Sequence, residues 1–135
     1  MERTKLHVAD TVGLGRFLED SLPTKADRAL KDAEDGSAVI LIPEVVIGEF
    51  VHIALKGRLK SSDPKALILE LLDELDGSAN FRQVGMIKKA WTELMRSYVP
   101  ELHDRMIYAI AKAEAVDAII TNDEELVSTG FRTIW

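Results

Sequence analysis

The sequence predicts an α/β fold: a three-layer α/β/α sandwich with a central, mostly parallel sheet, formed as one domain over residues 1–135. Two observations predict it. Short apolar runs rich in β-branched residues, "LHVA" (6–9), "AVILI" (38–42) and "DAIIT" (117–121), have the length and continuity of strands buried on both faces. Between them lie segments of helical length and period, and strands that alternate with helices give a parallel sheet covered on both sides.

In chain order, "LHVA" stops at Asp10, where "VGLGRFLED" (12–20) begins a first helix, weakened by Gly13 and Gly15. "TKADRALKDAED" (24–35) is a second helix, with Thr24 as N-cap and Gly36 past its end. After the "AVILI" strand, Pro43 takes the first position of a helix that runs to about Lys56 and stops at Gly57. "SSDPKALILELLDELDG" (61–77) is the next helix, capped by Ser62 or Asp63 and stopped by Gly77. "FRQV" (81–84) reads as a strand and "GMIKKAWTELMRSY" (85–98) as a helix. Pro100 opens the helix that carries Asp104. "DAIIT" is a strand, "DEELVS" (123–128) a short helix, and "FRTIW" (131–135) a closing strand.

Composition narrows the function classes. The chain is 47% hydrophobic, enough for a packed core. It has no cysteine, which excludes disulfides and thiolate metal sites and fits a reducing cytoplasm. The first residues lack the apolar stretch of a signal peptide, and no apolar run reaches the length of a membrane span. Seventeen Lys and Arg against 23 Asp and Glu leave a net charge of −6, which argues against a generally basic nucleic-acid surface. Nucleic-acid chemistry stays open, because a metal held by clustered carboxylates supplies local positive charge.

Four carboxylates stand out. In parallel α/β sheets the functional crevice lies beyond the carboxyl ends of the strands. Asp10 directly follows the first strand, and Asp123 follows "DAIIT" after only Asn122, so both lie at that edge. Glu49 shares a helix face with Val46 and Ile53, and Asp104 shares one with Ile107 and Ala111. Glu44 is a solvated first-turn acid instead. Each of the four has an ordinary structural explanation. Asp10, Asp104 and Asp123 suit helix caps or first turns, Thr121 with Glu124 suits a capping box, and Glu49 suits an ion pair. Taken together they suit a metal better. Clustered carboxylates coexist in ionised form when a hard divalent cation joins them, and oxygen-only ligands favour Mg²⁺ or Mn²⁺. Phosphodiester hydrolysis follows as the reaction class.

The motifs around these acids resemble those of the PIN-domain nuclease family. "HVADT" resembles its first-strand motif, an apolar run ending in Asp-Thr or Asp-Ser. "IPEVVIGEF" resembles its second, with the Glu in a helix after a small residue. "LHDRMIYAIAKAEAVDAIITND" resembles its third and fourth, a His-Asp start to an Ala-rich helix and then a strand ending in Thr-x-Asp. The resemblance covers nearly the whole chain. It implies an α/β/α sandwich and a Mg²⁺- or Mn²⁺-dependent endoribonuclease acting on RNA, with Asp10, Glu49, Asp104 and Asp123 as catalytic and metal-binding acids. Thr11 and Thr121 support them. Small prokaryotic members are mostly VapC-type toxins, held in check by an antitoxin and often homodimeric, so a cytoplasmic toxin of this kind is the expectation. Two departures are visible. Val12 stands where the family often has a small polar residue, removing one hydrogen bond to the site. Leu126 stands where it often has a further acid, and neither Glu124 nor Glu125 is counted in its place. The alternative reading is a catalytically weak or inactive PIN-like binding module.

Other signals are weaker. Gly13 and Gly15 follow a strand, yet Leu18 stands where a dinucleotide fingerprint needs its third glycine. A phosphoacceptor domain would carry a Lys at a later strand end, and neither "DAIIT" nor "FRTIW" ends in one. His7, His52 and His103 read as structural or rim residues. Trp91, Met95 and Tyr98, spaced i, i+4, i+7, read as core packing, with a dimer or antitoxin groove as the sharper alternative. Arg16, Arg58, Lys60, Arg82 and Arg105 are candidates for an RNA backbone, most of them simply solvated.

Overall fold

A computed structural model describes residues 3–135. Five strands, β1 (Lys5–Ala9), β2 (Ala38–Pro43), β3 (Phe81–Val84), β4 (Ala118–Ile120) and β5 (Thr133–Ile134), form one sheet in the order β3-β2-β1-β4-β5. Every neighbouring pair is parallel. Seven helices join them: α1 (Thr11–Leu18), α2 (Thr24–Glu34), α3 (Glu44–Leu55), α4 (Pro64–Gly77), α5 (Lys88–Arg96), α6 (Leu102–Ala113) and α7 (Glu124–Val127). No helix among the described residues is long and apolar enough to cross a membrane.

The strand order reverses at β1. β2 and β3 build outward on one side of it, β4 and β5 on the other. Right-handed crossovers running in opposite directions place their helices on opposite faces, which gives the three layers. The inner strands are mostly apolar: Val8, Ala9, Ile40, Ile42 and all of β4 are buried, with Lys5 exposed at the start of β1 and His7 buried within it. The edge strands β3 and β5 are only partly buried. Phe50, Leu14, Leu30, Ile107, Ile110 and Leu126 fill the layers between sheet and helices.

Several boundaries differ from the sequence reading, each for a local reason. Pro23 caps α2, with no side-chain hydrogen bond, and Thr24 is already inside the helix. Pro43 closes β2 and caps α3, so it stands one residue outside the helix. Asp63 caps α4 by accepting from the Ala66 amide at 3.1 Å, which decides between Ser62 and Asp63. Residues 85–87 are not helical, and α5 begins at Lys88. Glu101 caps α6 by accepting from the Asp104 amide at 2.8 Å, leaving Pro100 outside.

The amino-terminal end of the sheet is stapled by Asp117. Its amide donates to the Leu6 carbonyl at 2.6 Å, and its carboxylate accepts from the Leu6 amide at 2.8 Å. Arg3 adds a two-pronged pair at 2.6 and 3.1 Å. These hydrogen bonds hold the Asp117 carboxyl down at about 2, the Arg3 contact contributing most. Nearby His7 is buried among strand neighbours with Nδ1 unpartnered, and burial lowers its pKa. The structural reading of His7 therefore holds.

Candidate functional site

The β1–β4 boundary is where strand order reverses, and the two chains leave the sheet there side by side. Asp10 follows β1 and Thr121 follows β4. The Asp10 amide extends the ladder by donating to the Ile120 carbonyl at 3.2 Å. Asp10 is the N-cap of α1: its Oδ1 accepts from the Gly13 amide at 2.7 Å. Its Oδ2 accepts from the Thr121 hydroxyl. Asp10 is only 4% exposed, and that burial raises its pKa, with Asp123 and Glu49 adding to the rise. The two hydrogen bonds oppose it.

Thr121 links the two acidic residues, through the Asp10 carboxylate and the Asp123 backbone. The same hydroxyl that donates to Asp10 accepts from the Asp123 amide at 3.0 Å. Asp123 caps α7, its Oδ1 accepting from the amides of Glu125 at 2.9 Å and Leu126 at 3.4 Å. Of the two caps the sequence offers for α7, the Asp123 side chain is the one observed, and the Thr121–Glu124 capping box is not formed. Capping occupies Oδ1 and leaves Oδ2 without a hydrogen bond among the described residues.

Glu49 reaches the site from the middle of α3. Its Oε1 accepts from the Thr11 hydroxyl at 3.0 Å, and its Oε2 lies 3.4 Å from His103 Nδ1. No Lys or Arg pairs with it among the described residues. Val45, Gly48, His52, Ile53 and His103 share with Glu49 a hollow of about 350 Å³, so His52 and His103 do line the rim.

Asp104 lies in the first turn of α6, facing α7. Oxygen atoms of Asp104, Asp123 and Glu125 lie within 4.8 Å of one another. Burial and then the charge of Asp123 push the Asp104 carboxyl up to about 7, with Glu101, Glu125 and Glu49 adding to it. Glu125 Oε2 is buried without a partner. Three converging carboxylates, one oxygen orphaned and one acid with its pKa raised by burial and by the like charges beside it, fit a hard divalent cation bound through oxygen. The donor set holds no sulfur or nitrogen, which favours Mg²⁺ or Mn²⁺ over softer metals.

The four acids expected from the sequence therefore converge on one edge, but not equally. Asp104 and Asp123 sit in the close trio. Asp10 and Glu49 stand behind and beside it, fixed by the hydroxyls of Thr121 and Thr11. The third member of the trio is Glu125, which the sequence reading set aside because the usual acid position holds Leu126. Leu126 is fully buried. In a one-turn helix opened by Asp123, the residue at Leu126 turns into the core and its neighbour Glu125 turns back toward the cap. The sequence offered only the Asp123 cap as a signal, because one helical turn has no periodicity to read.

Two expectations are corrected. Trp91, Met95 and Tyr98 are not core: they are 49%, 75% and 98% exposed. The buried stripe of α5 is Ala90 and Leu94, continuing to Ser97, one position round the helix. Arg105 and Arg82 are engaged by backbone, Arg105 half-buried and Arg82 at the surface. Arg105 donates to the carbonyls of Leu94 and Ser97, and Arg82 to that of Ala79. Arg16 stacks over the Trp135 ring at 5.4 Å.

A PIN domain profile matches residues 10–132. No curated protein matches the chain in sequence. Among solved structures, VapBC2 of Rickettsia felis, determined bound to a promoter DNA fragment, superposes with a TM-score of 0.67 at 14% identity, covering 95% of this chain and 96% of that one. VapC20 of Mycobacterium tuberculosis, a Sarcin-Ricin loop cleaving toxin, gives 0.63 at 15% identity over 93% and 95%. FitAcB of Neisseria gonorrhoeae gives 0.63 at 17% identity over 94% and 95%. Identities this low carry the fold alone, while the profile spans both Asp10 and Asp123: the chain belongs to the PIN domain family.

Proposed function

We propose that this chain is a divalent-metal-dependent endoribonuclease, one PIN-like domain throughout, acting as the toxin of a toxin–antitoxin pair. The observation that carries the reading is the Asp104–Asp123–Glu125 trio at the carboxyl edge of the sheet, with Asp10 and Glu49 adjoining it. Asp104, Asp123 and Glu125 would hold Mg²⁺ or Mn²⁺ directly. The bound ion would polarise a phosphate oxygen and make water a better nucleophile at neutral pH.

The protein's own part is arrangement and charge. Asp123 is held by the α7 cap, so its free oxygen is aimed rather than sampled. Asp10 keeps a buried acid behind the trio, where the Gly13 amide and Thr121 hydroxyl fix it. Glu49, steadied by Thr11 and flanked by His103, faces the adjoining hollow and is the acceptor for a water proton. The local concentration of negative charge repels RNA until a cation is bound, which makes metal and substrate binding cooperative.

VapBC proteins among the structural neighbours support a protein antitoxin as partner, and the reading carries with it a homodimer acting in the cytoplasm. The test is cleavage of mixed RNA by the purified protein and its Asp104→Asn form, in Mg²⁺, Mn²⁺ and EDTA. Cleavage by the unmutated protein only, abolished by EDTA, is expected. A folded protein that cuts RNA under none of these metals overturns the reading in favour of a PIN-like binding module. Val12, 48% exposed beside Asp10 and Thr11 where a polar side chain would serve the site, is the residue that favours that second reading.

A further inference from the structure

A cleft of about 720 Å³ opens beside the acidic trio, between the α5–α6 connection and α7. Arg96, Tyr98, Tyr108, Lys112 and Thr129 line it, and Glu125 belongs to both cleft and trio. The volume lies within the range of sites that take a small organic ligand.

Tyr98 is the unusual residue. It is 98% exposed, yet it stands between Ser97 and Val99, which are 7% and 6% exposed. The loop is clamped. Arg105 donates to the Ser97 carbonyl and, at 2.8 Å, to that of Leu94. The Ser97 hydroxyl accepts from the Val99 amide at 3.1 Å. An aromatic ring is thus presented to solvent from a backbone that has little freedom to withdraw it. A singly exposed aromatic is ordinary in itself; what marks Tyr98 is that it lines a cleft that also contains Glu125 of the acidic trio.

The surroundings indicate what the ring meets. Lys112 Nζ stands 6.0 Å from the centre of the Tyr108 ring. Arg96 is exposed and only loosely paired with Glu93, at 3.9 Å. Aromatic faces alternating with cations form the pattern that binds unpaired nucleotides, rings taking bases and cations taking phosphates. The walls carry the cations Arg96 and Lys112 beside the acids Glu93, Glu124 and Glu125, so any phosphate taken there is held by Arg96 and Lys112 locally and not by a positive cleft.

We propose that this cleft is a nucleobase subsite of the acidic centre, with Tyr98 as the platform on which an unpaired base flanking the scissile phosphate stacks. The inference rests on the ribonuclease reading and adds to it the residues that seat the base and its adjoining phosphates. Arg96 and Lys112 take the adjoining phosphates, and Glu125 marks the end of the cleft where the strand reaches the metal.

The test compares the unmutated protein with Tyr98→Ala and Tyr98→Trp. Binding of a short randomised single-stranded oligoribonucleotide and of an RNA duplex is measured with Ca²⁺ in place of Mg²⁺. KM and kcat are measured with Mg²⁺, and mass by gel filtration. Tyr98→Ala is expected to weaken single-strand binding and raise KM by about 5- to 100-fold, leaving duplex binding and kcat near the starting values. Tyr98→Trp is expected to retain or tighten single-strand binding. Unchanged single-strand Kd and KM in Tyr98→Ala overturn the subsite while leaving the nuclease standing. A lower mass for Tyr98→Ala overturns it too, reassigning the ring, with neighbouring Trp91 and Met95, to a protein contact. A protein that never cuts but binds single strands through Tyr98 sinks the ribonuclease reading and keeps the platform.

Discussion

Thr11 donates its hydroxyl to Glu49 Oε1 at 3.0 Å across 38 residues of sequence, joining the start of α1 to the middle of α3. Glu49 has no cation among the described residues to hold it, so this bond and His103 fix its direction. Thr11→Val keeps the shape and removes the donor. We expect a fall in kcat of about tenfold or more, and a loss of about 1 kcal/mol in stability, the ordinary net worth of one hydrogen bond. Thr11→Ser, which restores the hydroxyl, should recover most of the rate. Equal rates for Thr11→Val and the unmutated protein would remove Thr11 from the site.

Asp104 gives a pH signature that needs no substrate. Its pKa stands at about 7 in the folded chain against 3.8 for the free group, raised by burial and by Asp123. Between those values the native state holds a proton that the unfolded state has released. Stability therefore falls as pH rises through that window, the reverse of the usual carboxylate behaviour. The metal-free melting temperature should drop from mildly acid to mildly alkaline pH, and Asp104→Asn should flatten the drop. Mg²⁺ or Mn²⁺ should restore the unmutated protein on the alkaline side far more than the variant. Parallel melting curves for the two, with and without metal, would show that the trio does not hold an ion.

Glu124 and Glu125 are adjacent acids with different duties. Glu125 joins the trio with an orphaned oxygen, whereas Glu124 is exposed outside it. Glu125→Gln should weaken Mn²⁺ binding by about tenfold or more, comparable to losing a supporting metal partner. Glu124→Gln should leave it within about twofold, since an exposed charge is largely screened. Titration calorimetry with Mn²⁺ separates them, and equal effects would remove Glu125 from the ligand set.

These contrasts mark how far the residues speak for themselves. The sheet was legible because β1, β2 and β4 are too short and too apolar to be anything but inner parallel strands. From that alone, Asp10 and Asp123 fall on one edge. The helix faces of Glu49 and Asp104 were legible from their spacing against Val46, Ile53, Ile107 and Ala111. Glu125 was missed because a one-turn helix has no periodicity to read, and only the Asp123 cap fixes which way it turns. Trp91, Met95 and Tyr98 were misread for a different reason. α5 carries two apolar stripes side by side, and sequence spacing alone does not say which one α6 covers. The occupations of Arg82 and Arg105 depend on carbonyls at loop and helix ends, which no pattern of side chains announces.

Asp117 offers a test of the opposite pH sign. Its carboxyl is held at about 2 by Arg3 and the Leu6 amide, below the free value of 3.8. The stabilisation is present above the free value and is lost as pH falls through that interval. Asp117→Asn should lower the melting temperature near neutrality, by an amount that corresponds to about 1–2 kcal/mol for one charged hydrogen bond and an exposed ion pair. The gap should close at strongly acid pH. A gap that persists there would mean the loss lies in packing rather than charge.

Gly13 decides between two effects of known size. It lies inside α1, where replacing Gly by Ala ordinarily adds about 1 kcal/mol of helix stability. A Cβ at this position would stand 3.1 Å from Asp10 Oδ1 and 3.1 Å from the Ile120 carbonyl oxygen. Neither neighbour is free to move. Asp10 Oδ1 is held by the Gly13 amide itself, and the Ile120 oxygen accepts from the Asp10 amide at the end of a buried strand. Forcing atoms into a close-packed site costs about 1–3 kcal/mol, so the clash outweighs the propensity gain. Gly13→Ala should therefore lower the melting temperature, and because the displaced group is Asp10, it should lower RNA cleavage by more than stability alone explains. Gly15→Ala is the control: its Cβ would stand 3.5 Å from the Phe50 ring, an ordinary contact, and should be neutral or stabilising. A stabilised, fully active Gly13→Ala would mean that Asp10 shifts without consequence, and that the close approach of α1 to β4 does not position the acid.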